Sequence, residues 1–179
     1  MPRSFVLAPL LAVLSACIVE APTSEKSGPT PARTQVKPVA VKNGAILGDG
    51  QQVELVGATF APASVAPGDS TRVVLVFRAI QPLPEDWQVF VHVEDAEGRQ
   101  ERMNVDHPPR RPTSSWRPGE IIQDEFNLNL PPGWRVRAVN LFVGLWLPRT
   151  DARMKVRNPE AVRTDGNDRV LVVQLPVAS

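Results

Sequence analysis

From Val53 onward the chain is written in short apolar runs, each stopped by proline, glycine or aspartate before it is long enough to make a helix. "VELVGATF" (Val53–Phe60) is followed by the turn formers "APGDS" (Ala66–Ser70), and "TRVVLVFRA" (Thr71–Ala79) by "QPLPED" (Gln81–Asp86). "WQVFVHVED" (Trp87–Asp95) runs into "AEGR" (Ala96–Arg99), after which "QERMNV" reads as a short return strand. "GEIIQDEFNLNL" (Gly119–Leu130) ends at "PPG" (Pro131–Gly133), and "WRVRAVNLFVGLWL" (Trp134–Leu147) is the longest run. "RMKVR" (Arg153–Arg157) and "DGNDRVLVVQLPV" (Asp165–Val177) close the series. Proline lacks an N–H and fixes φ, so the 19 prolines must sit in linkers, turns and strand ends. No segment shows a long 3.6-residue apolar period. The pattern predicts an all-β fold: an antiparallel β-sandwich, immunoglobulin- or jelly-roll-like, of about seven or eight strands over residues 44–179.

The strands also assign faces. In Trp87–Asp95, Trp87, Val89, Val91 and Val93 share one side, and Gln88, Phe90, His92 and Glu94 the other. In the longest strand, Leu141, Val143, Leu145 and Leu147 alternate with Asn140, Phe142 and Trp146. Val73–Phe77 and Leu141–Leu147 are apolar on both faces, which suits mid-sheet strands covered on both sides. Phe90, His92, Phe142 and Trp146 are then candidates for a sugar- or peptide-stacking surface. The expected alternative is that the 96–118 crossing covers them as a second small core.

The N-terminus specifies an address. Arg3 is followed by the apolar run "FVLAPLLAVL" (Phe5–Leu14), then small Ser15 and Ala16 ahead of Cys17. A charged start, a short apolar stretch and small residues make a secretory signal over residues 1–16, too short for a permanent span. "LSAC" (Leu14–Cys17) resembles the lipobox of bacterial lipoproteins, which implies cleavage before Cys17, a diacylglycerol on its sulfur and an acyl chain on the new amino terminus. Cys17 is the only cysteine, so no intramolecular disulfide can form. Ile18 is not the aspartate that retains lipoproteins in the inner membrane, so in a Gram-negative cell the expected place is the outer membrane, facing the periplasm. Residues 17–43 are rich in Pro, Thr, Ser and Lys without a hydrophobic period, and are expected to be a tether.

Three stretches carry a further resemblance. "FVH" at Phe90–His92 with Asp95, Gly98 and Arg99, then Asp106 before Pro108 and Pro109, then Pro112, Thr113, Trp116, Gly119 and Glu120 follow one another in order, and "DGNDRV" precedes the last strand. This order resembles a β-sandwich module found at the C-terminal end of bacterial membrane glycosyltransferase-like proteins, over roughly Val53–Val177. The resemblance implies a sandwich fold and no settled activity. The chain departs from the usual pattern: it has Trp134 where the module has a tyrosine, no Tyr at all, and an expected lipid anchor where the module's usual setting is a multi-span enzyme.

The densest polar stretch is "NVDHPPRRPTSSWRPGEIIQDEF" (Asn104–Phe126). As an active site it would use Asp106, His107 and Asp124, and glycoside hydrolysis would need two carboxyls about 5–10 Å apart across a cleft. No nucleophile elbow or phosphate-cradling loop accompanies them, and His92 and His107 match no zinc spacing. As a structured crossing, Asp106 and Thr113 bond to unpaired backbone groups, Trp116 plugs the sandwich edge with its indole N–H on a carbonyl, and His107 is solvated. A net charge of +1 supplies no field for nucleic acid. The sequence therefore reads as a membrane-anchored envelope lipoprotein with a non-catalytic sandwich that binds a glycan or a protein partner, without cofactor or metal. A structural or assembly subunit is the alternative, and a carboxylate-dependent glycan-active enzyme ranks third.

Overall fold

The computed structural model describes residues 38–99 and 101–178. Cys17, the signal segment and tether residues 18–37 lie outside the described residues. Nine strands follow among those described: β1 (Val39–Leu47), β2 (Val53–Ala61), β3 (Ser70–Ala79), β4 (Gln88–Asp95), β5 (Arg102–Asn104), β6 (Ile121–Asn129), β7 (Ala138–Leu147), β8 (Ala152–Arg153) and β9 (Val170–Pro176). They form two antiparallel sheets packed face to face. The first has the order β1-β2-β3-β6. The second runs β5-β4-β7, with β8 and β9 both pairing with β7. The fold is the all-β sandwich that the strand-and-turn rhythm predicts.

The core lies where alternation puts it. Val73, Leu75 and Phe77 of β3 face Val89, Val91 and Val93 of β4 and Leu141, Val143 and Leu145 of β7, all fully buried. Burying such β-branched and aromatic rows between two sheets is the main favourable term in a sandwich. β7 is covered on both faces. β3 is not: Val74 and Val76 on its outer side are only half-buried, and Arg72–Glu125 and Arg78–Glu54 ion pairs straddle that surface.

β1 begins at Val39, so the expected tether boundary at residue 43 moves back by several residues. Val39–Lys42 pair with Gly57–Phe60, and a bulge between Lys42 and Ala45 absorbs Asn43 and Gly44. Gly57 lies so close to the Val41 carbonyl that any side chain there would collide with it. The segment after β8 seals the free edge of β1. Arg157 N donates to the Ile46 carbonyl at 2.8 Å, while the Asn158 amide accepts from Ile46 N at 2.8 Å and donates to the Gly44 carbonyl at 2.9 Å. An edge closed this way has few free ladder groups left to recruit another chain.

Candidate functional site

The crossing between β5 and β6 is held by its own polar residues. Residues 105–107 continue the pairing with β4: Val105 N donates to Val91 O at 2.8 Å and His107 N to Val89 O at 2.9 Å. The Asp106 carboxylate takes the place of a ladder carbonyl, accepting from Val91 N at 2.9 Å. The buried Thr113 hydroxyl donates to Glu85 O and accepts from Trp87 N, both at 2.8 Å. Trp116 is buried against Phe77 at a ring separation of 5.8 Å, and its indole N–H donates to Arg111 O at 3.2 Å. Gly119 turns the chain at φ 85°, and Glu120 accepts from Arg117 N and pairs with Arg111.

His107 departs from the solvated role expected of it. Its Nδ1 lies 2.8 Å from Val105 O, and a carbonyl can only accept, so this nitrogen carries a proton. Its Nε2 lies 2.7 Å from Asp124 Oδ2. Asp124 sits on the inward face of β6, buried in the row Ile122, Asp124, Phe126, Leu128. Burial pulls the imidazole down, but its hydrogen bonds to Asp124 and Val105 and the nearby charges of Asp124 and Asp106 outweigh this and leave its pKa raised. Both ring nitrogens are hydrogen-bonded, and His107 and Asp124 line one hollow of about 480 Å³ with Gln123, Phe126 and Asn127. Asp106 and Asp124 serve different partners, and the three residues do not converge on one cleft.

The second feature is the outer face of the β4–β7 sheet. Here Phe90, Phe142 and Trp146 do share a face, as alternation predicts, but they make no open stacking strip. Phe90 is 1% and Phe142 8% exposed, and Trp116 is 2% exposed elsewhere, inside the core. Their cover includes two arginines from outside the 96–118 crossing. The Arg153 guanidinium lies 5.1 Å over the Phe90 ring and that of Arg169 lies 4.4 Å over Phe142. Such stacking uses the negative face of the ring against the planar cation. Trp146 is half-buried, and its indole nitrogen has no hydrogen-bond partner among the described residues.

This cover makes a cleft of about 410 Å³. His92 and Glu94 form its floor, Arg102 and Asn104 of β5 one wall, and Arg153, Asn167 and Arg169 the other. Arg169 is fixed by Glu94 and by Asp165, each at 2.5 Å. The "DGNDRV" turn holds it there: Asp165 also accepts from Asn167 N at 3.0 Å, and Asp168 ties the turn to Val156 N and Lys155. His92 stacks beside Phe90 at 5.0 Å, with Nε2 3.9 Å from Asp106. Burial is the largest effect and lowers its pKa; Asp106 and Glu94 oppose, Arg153 and Arg169 add to the lowering, and the net shift is downward.

Of the residues singled out from sequence, Phe90, His92, Asp106 and Phe142 gather at or beneath this cleft, Trp116 does not, and Cys17 is outside the described residues. The arginine wall was not anticipated. The Asp165/Arg169 spacing inside a turn was its only local signal. No group of residues suited to a metal ion occurs among those described.

No protein-family model and no curated protein matches this chain. The quoted motif residues have local accounts in the fold. Asp95 is buried, accepts from Glu97 N and pairs with Arg99 around Gly98 at φ 76°. The Pro112–Glu120 residues make the crossing, and Asp165–Arg169 fix the wall of the cleft.

Proposed function

We propose that the protein is a lipid-anchored envelope protein whose β-sandwich is a non-catalytic glycan-binding module. Cys17 carries the acyl groups, and in a Gram-negative cell the module faces the periplasm from the outer membrane. More than one acyl chain gives stable anchoring where one is marginal.

The observation that carries the binding reading is the outer-face cleft. In it, Glu94, Arg169, His92 and Arg153 are held by ion pairs and stacking before any ligand arrives, which lowers the ordering cost of binding. Its walls present amide, imidazole, carboxylate and guanidinium groups in alternation, a set that matches sugar hydroxyls acting as both donors and acceptors. The non-catalytic reading is supported by the crossing, where His107 and Asp106 are committed to structural bonds.

Two measurements test this. Wild-type protein is expected in the detergent phase of a membrane extract, and Cys17→Ser in the aqueous phase. A glycan array is expected to give selective binding that Asn104→Ala weakens. Equal partitioning of the two forms rejects the anchor, and an array without binding rejects the module's role.

A further inference from the structure

The charges around the cleft do not cancel locally. Arg169 is saturated by Glu94 and Asp165. Asp106 is committed to Val91 N. Arg102 stands directly opposite Glu94 in the β4–β5 ladder, where a cross-strand ion pair is the ordinary outcome, yet Glu94 turns to Arg169 instead. Arg102 has no carboxylate partner among the described residues. Arg153 has none either: its one side-chain hydrogen bond is from Nη1 to the Asn167 carbonyl at 3.2 Å, and its Cζ lies 5.1 Å over the Phe90 ring. Two guanidinium groups free of carboxylates thus face one cleft from opposite walls.

We infer that this cleft takes an acidic saccharide, with its carboxylate or other oxyanion seated between Arg102 and Arg153. The inference rests on the glycan-binding reading and names the ligand's chemical class. A guanidinium offers a planar fork of N–H donors that matches an oxyanion in a bidentate way. Arg153 is held in place before binding, so little side-chain freedom is lost when the ligand arrives. Asn104 and Asn167 supply uncharged groups for neighbouring hydroxyls. A second hollow of about 520 Å³ shares Glu94, Arg102 and Arg169 with the cleft and adds Gly98, Glu101 and the Asp95–Arg99 ion pair. The two together make a track, which suits consecutive sugar rings of a chain better than a single small anion.

The test is calorimetric titration of the full-length chain in detergent with three probes: trigalacturonic acid, its methyl ester and inorganic phosphate. The acid is expected to bind, with the ester weaker by about tenfold or more, since esterification removes the charge that the guanidinium groups recognise. Arg102→Gln and Arg153→Gln are each expected to lower affinity for the acid by about tenfold, reflecting loss of a charge-assisted pair. Arg102→Gln should melt like wild type, because its side chain is exposed and bonded to nothing, so it separates binding from folding. Equal binding of acid and ester, or unchanged binding by Arg102→Gln, overturns the inference. Neutral glycans captured on the array would leave the glycan-binding reading standing in that case. Failure of the acid to bind at all also overturns it, and phosphate competing as well as the trimer would overturn the saccharide assignment.

Discussion

His107 Nε2 and Asp124 Oδ2 meet at 2.7 Å, joining the edge of one sheet to the edge strand of the other. Asp124 occupies a core position of β6, and a carboxylate there is tolerable only with a partner. The crossing delivers that partner. The Val105 carbonyl, freed because Asp106 takes the ladder bond to Val91 N, orients the ring by accepting from Nδ1. The Phe126 ring, 5.0 Å away, shields the pair on one side.

Removing one member leaves the other charge stranded. His107→Ala is expected to destabilise the protein on the order of 3 kcal/mol, since breaking a buried pair costs more than the pair contributes. His107→Ala combined with Asp124→Leu should recover much of the loss, because it deletes the stranded carboxylate. Urea melts of the single and double variants measure both. A neutral His107→Ala would mean that the ring is solvated and the pair contributes nothing.

The two histidines predict opposite pH slopes. His107 has a folded pKa above the ordinary 6.5, so its stabilisation is full below that value and is lost as pH rises through the folded pKa. His92 has a folded pKa below 6.5, so the unfolded chain binds the extra proton and stability falls as pH drops below that value. Asp106, Glu94, Arg153 and Arg169 all act on His92, with burial the largest effect. Stability measured from pH 5 to 8 should therefore peak near 6.5. His107→Gln should flatten the alkaline limb, and His92→Gln the part of the acid limb just below the peak. A His107→Gln profile that keeps the wild-type alkaline limb would contradict the assignment.

How much of this was legible follows from what each signal depends on. The β4 face was readable, because Val89, Val91 and Val93 alternate cleanly and the period alone decides their side. Trp116 was readable too, flanked by residues that can only make a crossing. β1 was not, because Lys42, Asn43 and Gly44 interrupt its apolar residues at the bulge and read as linker. Asp124 stood in register with Ile122, Phe126 and Leu128, but a charge in a strand argues for solvent until its partner is known, and that partner lies on the other sheet. The arginine cover depends on contacts such as Arg169 with Glu94, far apart in sequence, which no local period records.

Within the crossing, Trp116 and Asp106 are expected to act through stability. Trp116→Ala empties a site packed against Phe77 and should cost roughly 3–5 kcal/mol, the range for deleting a buried large ring. Asp106→Ala leaves Val91 N without an acceptor and should cost roughly 1–3 kcal/mol. Asp106→Asn keeps an acceptor oxygen and should recover most of that. Denaturant titration of the three variants decides it. Wild-type stability in Trp116→Ala and Asp106→Ala would instead place these residues in a ligand site.

The last prediction joins packing to binding through Gly144. This residue faces Phe90 across the β4–β7 ladder, and a Cβ built on it would overlap the Phe90 ring and press within 3.2 Å of the Asp168 carbonyl. The carbonyl belongs to the backbone of the turn that carries Arg169, so it cannot move without moving the wall. Phe90 is itself 1% exposed and lies beneath Arg153. Gly144→Ala must therefore displace the ring, and with it the guanidinium above. Overpacking of this kind costs about 1–3 kcal/mol. Gly133→Ala, which has no neighbour within 4 Å of the added carbon, is the control and should be near neutral. If the cleft is the binding site, Gly144→Ala should weaken binding of trigalacturonate at temperatures where the protein is still folded, while Gly133→Ala should not. Undiminished binding by a folded but destabilised Gly144→Ala would separate the aromatic floor from recognition and move the ligand off this face of the sheet.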